Sequence, residues 1–354
     1  MFGEKIKAYR EQQGLKLKEL AAKTLIDQTL LSRFEKGSRL PTDQQLTALA
    51  SGLNTDPQEL RVHWLAEKIV KVVQYEPIAI EAMMVAEERV EYLSSKAVLE
   101  FPKISPRIQS KLIQIDELKA KWQSKHPLGP SHLKRLREYF DIQYTFESNR
   151  IEGNTLSLRE TDLIINKGLT IGDKSMQEHL EAVNHAEAID YVADLVLAKL
   201  NLNKRNILDI HRLILKGIDT ENAGVYRKVP VRISGSTNEL PQPHRLEPMM
   251  LDYFQFYQFH RKRLHPVIMA AEMHERLVSI HPFIDGNGRT ARLVMNLILM
   301  RHGYTRANIK GSTESRARYY EALDAVQSDA NHEYLYELVV DECIESLREH
   351  LELT

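Results

Sequence analysis

The sequence is poor in several residue types, and each shortage excludes a class of protein. Its single cysteine, Cys343, excludes a disulfide framework and a cysteine-based zinc site. The 15 glycines and 13 prolines are few for 354 residues, which favours long helices over a turn-rich fold. The longest apolar stretch, residues 293–300, contains Asn296 and is far shorter than the ~18 residues that span a bilayer. We therefore expect no membrane protein.

Charge of either sign is also not in excess, because 48 Lys and Arg face 49 Asp and Glu. Any contact with nucleic acid must then come from a local basic patch. The first residues include Glu4 and Lys5 and lack an apolar run of ~7–15 residues, so we expect no signal peptide. The composition excludes secreted, collagenous and disordered proteins as well. We predict a cytoplasmic protein of two or three domains.

The chain falls into three segments by its helical patterning. Residues 1–62 read as short helices, residues 63–130 as a helical connector interrupted by prolines, and residues 131–354 as longer helices. One strand-like segment, 229–233, precedes several turn-forming residues and predicts a β-hairpin whose Pro230 confines it to an edge. We therefore predict an all-α fold: a multi-helix bundle with one hairpin, behind a small five-helix domain.

The amino-terminal segment carries a pattern suited to a DNA-reading helix. Asp27 can cap a helix that begins at residue 28. The first exposed side chains of that helix are Gln28, Thr29, Ser32 and Arg33. Gln, Ser and Arg side chains can read base edges in a major groove. Residues 1–40 hold nine Lys and Arg against five Asp and Glu, a mild phosphate-binding excess of four positive charges.

Residues 2–62 resemble the lambda-repressor (Cro-type) helix-turn-helix family, and the resemblance implies binding of duplex DNA. The alternative is a bundle that keeps the fold and binds protein. The family's usual turn glycine is Leu25 here. A leucine in a left-handed turn costs roughly 1–2 kcal/mol, so we expect an altered turn. A homodimer is one option for the oligomeric state, which the sequence leaves open.

The most informative stretch is residues 281–292, which read His-Pro-Phe-Ile-Asp-Gly-Asn-Gly-Arg-Thr-Ala-Arg. Its glycines free a loop that leads into a helix N-terminus, where backbone N–H groups and the helix dipole favour an anion. Arg289 and Arg292 can fork onto phosphate oxygens. Asp285 offers hard oxygen ligands for Mg²⁺, and His281 is a base near neutral pH. Together these groups suit phosphoryl or nucleotidyl transfer.

This stretch resembles the Fic family motif at every fixed position, and the resemblance spans about residues 110–350. The family is all-helical with one β-hairpin flap, and most members transfer AMP from ATP to a hydroxyl of a target protein. The resemblance implies that His281 is the general base and that Asp285 holds Mg²⁺. It implies that the nucleotide is bound by Gly286, Asn287, Gly288, Arg289 and Arg292. The Doc subfamily, which phosphorylates, has Lys where Gly288 stands, so Gly288 favours nucleotidyl transfer.

A second motif lies upstream, in a helix expected near residues 132–153. Ser148-Asn-Arg-Ile-Glu152-Gly153 resembles the inhibitory signature of Fic proteins whose inhibitory helix precedes the catalytic motif. Ser148 and Glu152 are four residues apart, hence on one helix face. The resemblance implies that Glu152 pairs with Arg292 and keeps it from the γ-phosphate of ATP. The alternative is that both residues belong to a solvated helix face.

Two further segments resemble parts of the same family. Residues 224–227, Gly-Val-Tyr-Arg, lead into the flap strand, and the resemblance implies that Val231 lies against the adenine. The family's flap clamps the target backbone by strand addition. Tyr319 resembles the tyrosine near the adenine, with core packing as the alternative for Tyr319 and Tyr320. The family's asparagine seven residues further on is Gln327 here.

We therefore predict a protein adenylyltransferase that uses ATP and Mg²⁺ and is inhibited by Glu152. The reaction would join a Ser, Thr or Tyr hydroxyl of a target protein, or of the chain itself, to AMP and release pyrophosphate. One alternative is removal of AMP by the same site, with Glu152 orienting a water. Another is a transcription regulator that uses the site to sense nucleotide.

Overall fold

The computed structural model describes residues 2–94, 102–125, 128–232 and 239–354 of the chain. Regular structure in these ranges is helical throughout, so the prediction of an all-α fold is confirmed. The chain divides into two compact units, Met1–Ser95 and Lys96–Thr354. In the ranges just given, no helix is both long and apolar enough to cross a membrane.

The first unit begins with the five short helices that the sequence predicts. They are α1 (Phe2–Gln12), α2 (Leu17–Thr24), α3 (Gln28–Glu35), α4 (Asp43–Gly52) and α5 (Pro57–Val73), followed by α6 (Ala79–Ser94). Leucine, isoleucine and phenylalanine side chains from α1 to α5 form one core with Trp64. The buried Arg10 of α1 adds a two-pronged ion pair with Glu35 of α3, at 2.6 and 3.0 Å.

Capping residues start α3 and α4, and α3 begins at residue 28 as its cap Asp27 predicts. The Asp27 carboxylate accepts hydrogen bonds from the N–H groups of Thr29 and Leu30, at 2.8 and 3.1 Å. Thr42 and Gln45 form a reciprocal capping box at the start of α4. Each cap satisfies N–H groups that have no partner inside the helix and contributes about 1 kcal/mol.

In the described part of the second unit, nine α-helices surround a central one, α14 (Asn287–Arg301). The surrounding helices are α7 (Pro106–Ser124), α8 (Pro130–Ile151), α9 (Leu158–Lys167), α10 (Met176–Leu197), α11 (Lys204–Ile214), α12 (Leu246–His260), α13 (Pro266–Ile280), α15 (Thr313–Asp329) and α16 (Glu333–Glu352). Helix α14 packs against α13, α10 and α11, and every residue from 289 to 299 is buried. Helix α14 therefore lies at the centre of the unit, and Met300, near its end, is only half-buried.

The compact units divide between residues 95 and 96 rather than at the predicted boundaries near 62 and 130. Helix α7 lies within the segment predicted as a connector, yet it packs along α16. Its Ile108, Leu112 and Ile115 are buried in the core of the second unit. Proline patterning cannot show this, because it marks where helices end but not what they pack against. The three-segment division stays a prediction.

The predicted hairpin has no strand on either side of its turn within the described residues. Residues 229–232 and 239–242 run as irregular chain, and residues 233–238, which hold the end of the predicted strand and the predicted turn, lie outside the described residues. The predicted hairpin has only two strands, and two strands alone are marginal without a third strand to pair with. The hairpin therefore stays a prediction.

Candidate active site

The loop between α13 and α14 is braced by its own side chains. His281 ends α13 in a left-handed conformation, with φ of 48°, and Gly286 has φ of 75° just before α14. Asn287 accepts a hydrogen bond from the N–H of Phe283 at 3.0 Å and donates one to its carbonyl at 2.9 Å. The amide of Asn287 therefore shapes the loop, and the anion-facing groups are the backbone N–H groups at the start of α14.

His281 has the hydrogen bonding of a neutral base. Its Nδ1 lies 3.2 Å from the carbonyl oxygen of Val278, which can only accept, so Nδ1 carries the proton. This leaves the lone pair on Nε2. Burial lowers the pKa of His281 below its usual value, and the Val278 carbonyl opposes that shift in part. The imidazole is therefore unprotonated at neutral pH, as a general base must be.

Asp285 and Arg289 lie one helical turn apart and form an ion pair. Arg289 Nη2 is 3.2 Å from Asp285 Oδ2, while Asp285 Oδ1 accepts the N–H of Gly286 at 2.6 Å. The Asp285 side chain is 55% exposed, but that of Arg289 is 3% exposed. No group of three or more metal-binding side chains occurs among the described residues. A cation at Asp285 would therefore need further ligands, such as phosphate oxygens and water.

Glu152, at the end of α8, reaches Arg292 as the inhibitory signature predicts. Arg292 Nη2 donates to Glu152 Oε1 at 2.7 Å and to the carbonyl of Ser148 at 2.9 Å. Arg292 Nε donates to Ser148 Oγ at 3.1 Å. Burial by itself lowers the pKa of Arg292, but the nearby Glu152 carboxylate outweighs it, and the pKa is raised. The structure thus brings Ser148, Glu152 and Arg292 together, with Ser148 buried and Glu152 exposed.

The Glu152 carboxylate also lies on the first turn of α14. A Cβ atom at Gly288 would overlap Glu152 Oε1. No side chain caps this helix start. The N-terminus of a helix favours a negative charge, and here the protein's own carboxylate supplies it. Glu152 therefore occupies space that an anion bound to this helix end would use.

Both motif arginines retain buried donors without a hydrogen-bond partner. These are Nε and Nη1 of Arg289 and Nη1 of Arg292, within the ranges that the structure describes. An unpaired buried donor costs about 1–3 kcal/mol, and guanidinium groups pair well with phosphate oxygens. The donors of Arg289 and Arg292 therefore fit a polyphosphate.

His211 of α11 is a functional residue that the sequence analysis missed. Its ring stacks on Phe283 with centroids 3.6 Å apart. The N–H of Gly224 donates to its Nδ1 at 2.8 Å, so Nε2 carries the proton and donates to the carbonyl of Asp285 at 2.9 Å. Burial lowers the pKa of His211 to about 4, which keeps the ring neutral. No local pattern marks this residue, because its partners lie far along the chain.

Arg227 links the predicted flap segment to the loop between α13 and α14 by hydrogen bonds. The Arg227 N–H donates to the carbonyl of Pro282 at 2.9 Å, and its Nε donates to that of His281 at 2.8 Å. Its Nη atoms donate to the carbonyls of Val229 and Pro241, at 3.1 and 2.6 Å. The sequence analysis placed Arg227 in a family-like segment but gave it no role. Val231 is half-buried and follows this clamp; its contact with adenine stays a prediction.

Tyr319 and Tyr320 of α15 differ in their surroundings. Tyr319 is buried, and its hydroxyl lies 2.9 Å from Nε2 of the buried His274. Tyr320 is 44% exposed and donates to the carbonyl of Ile151 at 3.3 Å, at the end of α8. Gln327 donates to Ser279 Oγ at 3.0 Å. Core packing accounts for Tyr319, and its adenine role stays a prediction.

The proposed DNA-reading residues lie on α3 of the first unit. Gln28, Thr29 and Arg33 are exposed and Ser32 is half-buried. The expectation of an altered turn before α3 is wrong. Leu25 adopts the left-handed conformation, with φ of 55° and ψ of 27°, and its side chain is 94% exposed. The strain of one residue is tolerated because the turn is fixed by the helices on both sides, which pack into one core.

Family models match two parts of this chain. Residues 201–299 match the Fic/DOC family, and residues 6–60 match the model described as Helix-turn-helix. Curated relatives include the protein adenylyltransferase Fic of Nematostella vectensis, 38% identical over 65% of this chain and 52% of that protein. The protein of the same name from Drosophila virilis is 34% identical over 61% of this chain and 44% of its own length. The chain spans about half the length of these relatives.

Solved structures with the same fold cover most of this chain. A Fic domain containing signaling protein from Bacteroides thetaiotaomicron is 28% identical, with a TM-score of 0.63 over 68% of this chain and 96% of that one. Fic-1 from C. elegans, residues 134–508, matches 99% of this chain with a TM-score of 0.63. At 24% identity this second match shows the fold alone. The chain therefore carries a Fic/DOC family domain and, in front of it, a helix-turn-helix domain.

Proposed function

We propose that this protein is an adenylyltransferase that transfers AMP from ATP to a hydroxyl side chain of a target protein, or of itself. The observation that carries the proposal is His281, whose neutral imidazole keeps a free Nε2 in the loop before α14. The two curated relatives reported above are both named protein adenylyltransferase. Their shared name supports the same activity here.

The proposed reaction needs a base, a bound triphosphate and an acceptor hydroxyl. His281 Nε2 takes the proton of the hydroxyl as its oxygen attacks the α-phosphorus of ATP. The bond between the α-phosphorus and the bridging oxygen breaks, and pyrophosphate leaves with the electron pair. The neutral form of His281, maintained by burial, makes it ready to accept that proton.

The phosphates would be bound at the start of α14. Backbone N–H groups at Asn287 and Gly288, that of Gly286 once Asp285 releases it, and the unpaired donors of Arg289 and Arg292 suit the α- to γ-phosphates. Asp285 would hold Mg²⁺, which neutralises charge that develops on the phosphates when it is bound. The exposed carboxylate of Asp285 can serve as a ligand once its pairing with Arg289 is relaxed.

Glu152 would inhibit this reaction in two ways. It uses a donor of Arg292, and its carboxylate lies where the phosphates approach α14. A carboxylate beside a phosphate also repels it. ATP would therefore bind poorly, or in a pose unsuited to in-line attack, until Glu152 withdraws.

The experiment uses ATP labelled at either the α- or the γ-phosphate, incubated with the Glu152→Gly variant and a whole-cell extract. Adenylyl transfer predicts protein labelling from the α-label and none from the γ-label. Labelling from the γ-phosphate would instead show phosphorylation. If neither label is transferred, loss of label from AMP-modified protein incubated with the unsubstituted chain, which keeps Glu152, would favour removal of AMP.

For the first unit, we propose binding of duplex DNA through Gln28, Thr29, Ser32 and Arg33. The proposal is supported by the exposed side chains of α3 and by the left-handed conformation of Leu25, which preserves the turn between α2 and α3. The joint substitution Gln28→Ala and Arg33→Ala should weaken duplex binding in a mobility-shift assay with the protein's own promoter region, with AMP transfer unchanged. No detectable shift by the unsubstituted chain at low salt would favour protein binding by this unit.

A further inference from the structure

Glu181 of α10 contacts two parts of the active site that are distant in sequence. Its Oε1 lies 3.4 Å from Arg289 Nη1. Its Oε2 accepts a hydrogen bond from Asn154 Nδ2 at 2.8 Å. The Glu181 side chain is only 11% exposed, so both contacts form away from bulk solvent. One carboxylate thus bridges α14 and the segment that follows α8.

The segment after α8 is fastened to the start of α10 at several points. Asn149 Nδ2 donates to the carbonyl of Glu181 at 3.2 Å, and Asn154 Nδ2 also donates to that of Glu178 at 3.2 Å. The N–H of Thr155 donates to Glu178 Oε1 at 3.0 Å. These bonds fix the backbone on both sides of Glu152, and Glu181 is the member of the set that also reaches Arg289.

Arg289 needs a fixed partner because its guanidinium is almost fully buried. Leaving a buried charge unpaired is strongly unfavourable. Asp285 supplies one partner, but its carboxylate is exposed and would be drawn away by a bound cation. Glu181 is the better-buried partner, at ion-pair distance from Nη1, and neither Nη1 nor Nε of Arg289 makes a hydrogen bond, so both donors stay available to a phosphate.

We propose that Glu181 is a positioning residue: it holds Arg289 in the orientation that binds the phosphates beyond the α-phosphate, and Asn154 anchors it in turn. This inference rests on the proposed function, in which Arg289 binds the polyphosphate. It follows that the affinity for ATP depends on Glu181 and that the affinity for AMP, which lacks those phosphates, does not.

The test measures nucleotide affinity by calorimetry in the Glu152→Gly background, where the competing carboxylate is absent. Glu181→Gln removes the charge that faces Arg289 but keeps the shape of the side chain. Glu178→Gln is the matched control, because Glu178 lies on the same helix as Glu181 and accepts a hydrogen bond from the N–H of Thr155. A glutamine at this position can keep the capping role of Glu178 at the start of α10. Thermal melting of each variant reports whether the fold is kept.

We expect Glu181→Gln to weaken binding of ATP with Mg²⁺ about tenfold, the loss typical of one charge-assisted contact. AMP affinity should stay within about twofold, and Glu178→Gln should change neither affinity beyond that. Equal losses for ATP and AMP, equal losses in the two variants, or no loss for ATP would each overturn the positioning role.

Transfer of labelled AMP by the same variants separates this inference from the proposed function. If AMP is transferred but Glu181→Gln leaves the ratio of ATP affinity to AMP affinity unchanged, the positioning role is overturned and the proposed activity is kept. If Glu181→Gln lowers the ratio of ATP affinity to AMP affinity but no variant transfers AMP, the positioning role is kept and the proposed activity is overturned. Failure of the Glu152→Gly background to bind ATP at all would overturn both.

Discussion

Glu152 and Arg292 form an ion pair in which one partner is buried and the other is not. Glu152 Oε1 lies 2.7 Å from Arg292 Nη2, with side-chain exposures of 31% and 1%. Arg292 also donates to the hydroxyl and carbonyl oxygens of Ser148, and these two contacts do not involve Glu152. We expect Ser148 to hold the guanidinium in place when the carboxylate withdraws and a phosphate replaces it as the charged partner.

Substitution of the proposed base separates chemistry from binding. His281→Ala should lower AMP transfer about 10²–10⁴-fold, the usual contribution of a general base. ATP affinity should change little, because the loop N–H groups and the arginines hold the phosphates. Single-turnover rates and calorimetry on Glu152→Gly with and without His281→Ala measure both quantities. Transfer at the unsubstituted rate would show that the base is another group.

The pH profile of transfer follows from the lowered pKa of His281. Burial favours the neutral imidazole, so the base form persists below the ordinary histidine value of ~6.5. We expect the acid limb of kcat against pH for the Glu152→Gly variant to lie below that value. An acid limb centred at or above ~6.5 would contradict the assignment of His281.

Stability must be followed in the same range, because His211 is held neutral as well. Its pKa of about 4 in the folded chain means that, between ~6.5 and that value, the unfolded chain binds a proton that the folded chain does not. The contribution of His211 to the free energy of unfolding is therefore fully present above pH ~6.5 and decreases as the pH falls below that value. Rates should be compared only where thermal melting shows a folded chain.

The loop from His281 to Arg292 could be predicted from the sequence because its residues are contiguous in the chain. The ion pair of Arg292 with Glu152 joins residues 140 apart and could be predicted only through the resemblance to the family's inhibitory signature. His211 and Glu181 could not be predicted in this way, since their partners are 74 and 108 residues away along the chain. The same limit explains α7, whose place in the core depends on α16, a helix more than 200 residues later.

Asp285 is the residue through which a metal requirement would appear. Asp285→Ala should abolish Mg²⁺-dependent transfer, because the described residues hold no group of metal-binding side chains that could take its place. The variant also frees Arg289 from one ion pair, so ATP affinity without Mg²⁺ should not fall. Transfer that persists in excess chelator would contradict a metal role for Asp285.

Leu25 offers a test of backbone strain in the first unit. Its side chain is 94% exposed and makes little packing contribution, while its φ of 55° disfavours any side chain. Leu25→Gly should therefore stabilise the unit by about 1 kcal/mol relative to Leu25→Ala, which keeps the strain. Chemical denaturation of the two variants measures the difference. Equal stability would show that the turn carries no strain at this position.

The most direct test of the central claim compares labelling from α-labelled ATP by the wild type and by Glu152→Gly. Release of Arg292 restores about one charge-assisted hydrogen bond of ~1.5–3 kcal/mol to the phosphates, so transfer should rise about tenfold to a hundredfold. Arg292→Ala in the Glu152→Gly background should cancel the gain, because the released donor is then absent. Equal labelling by the wild type and Glu152→Gly would contradict inhibition by Glu152.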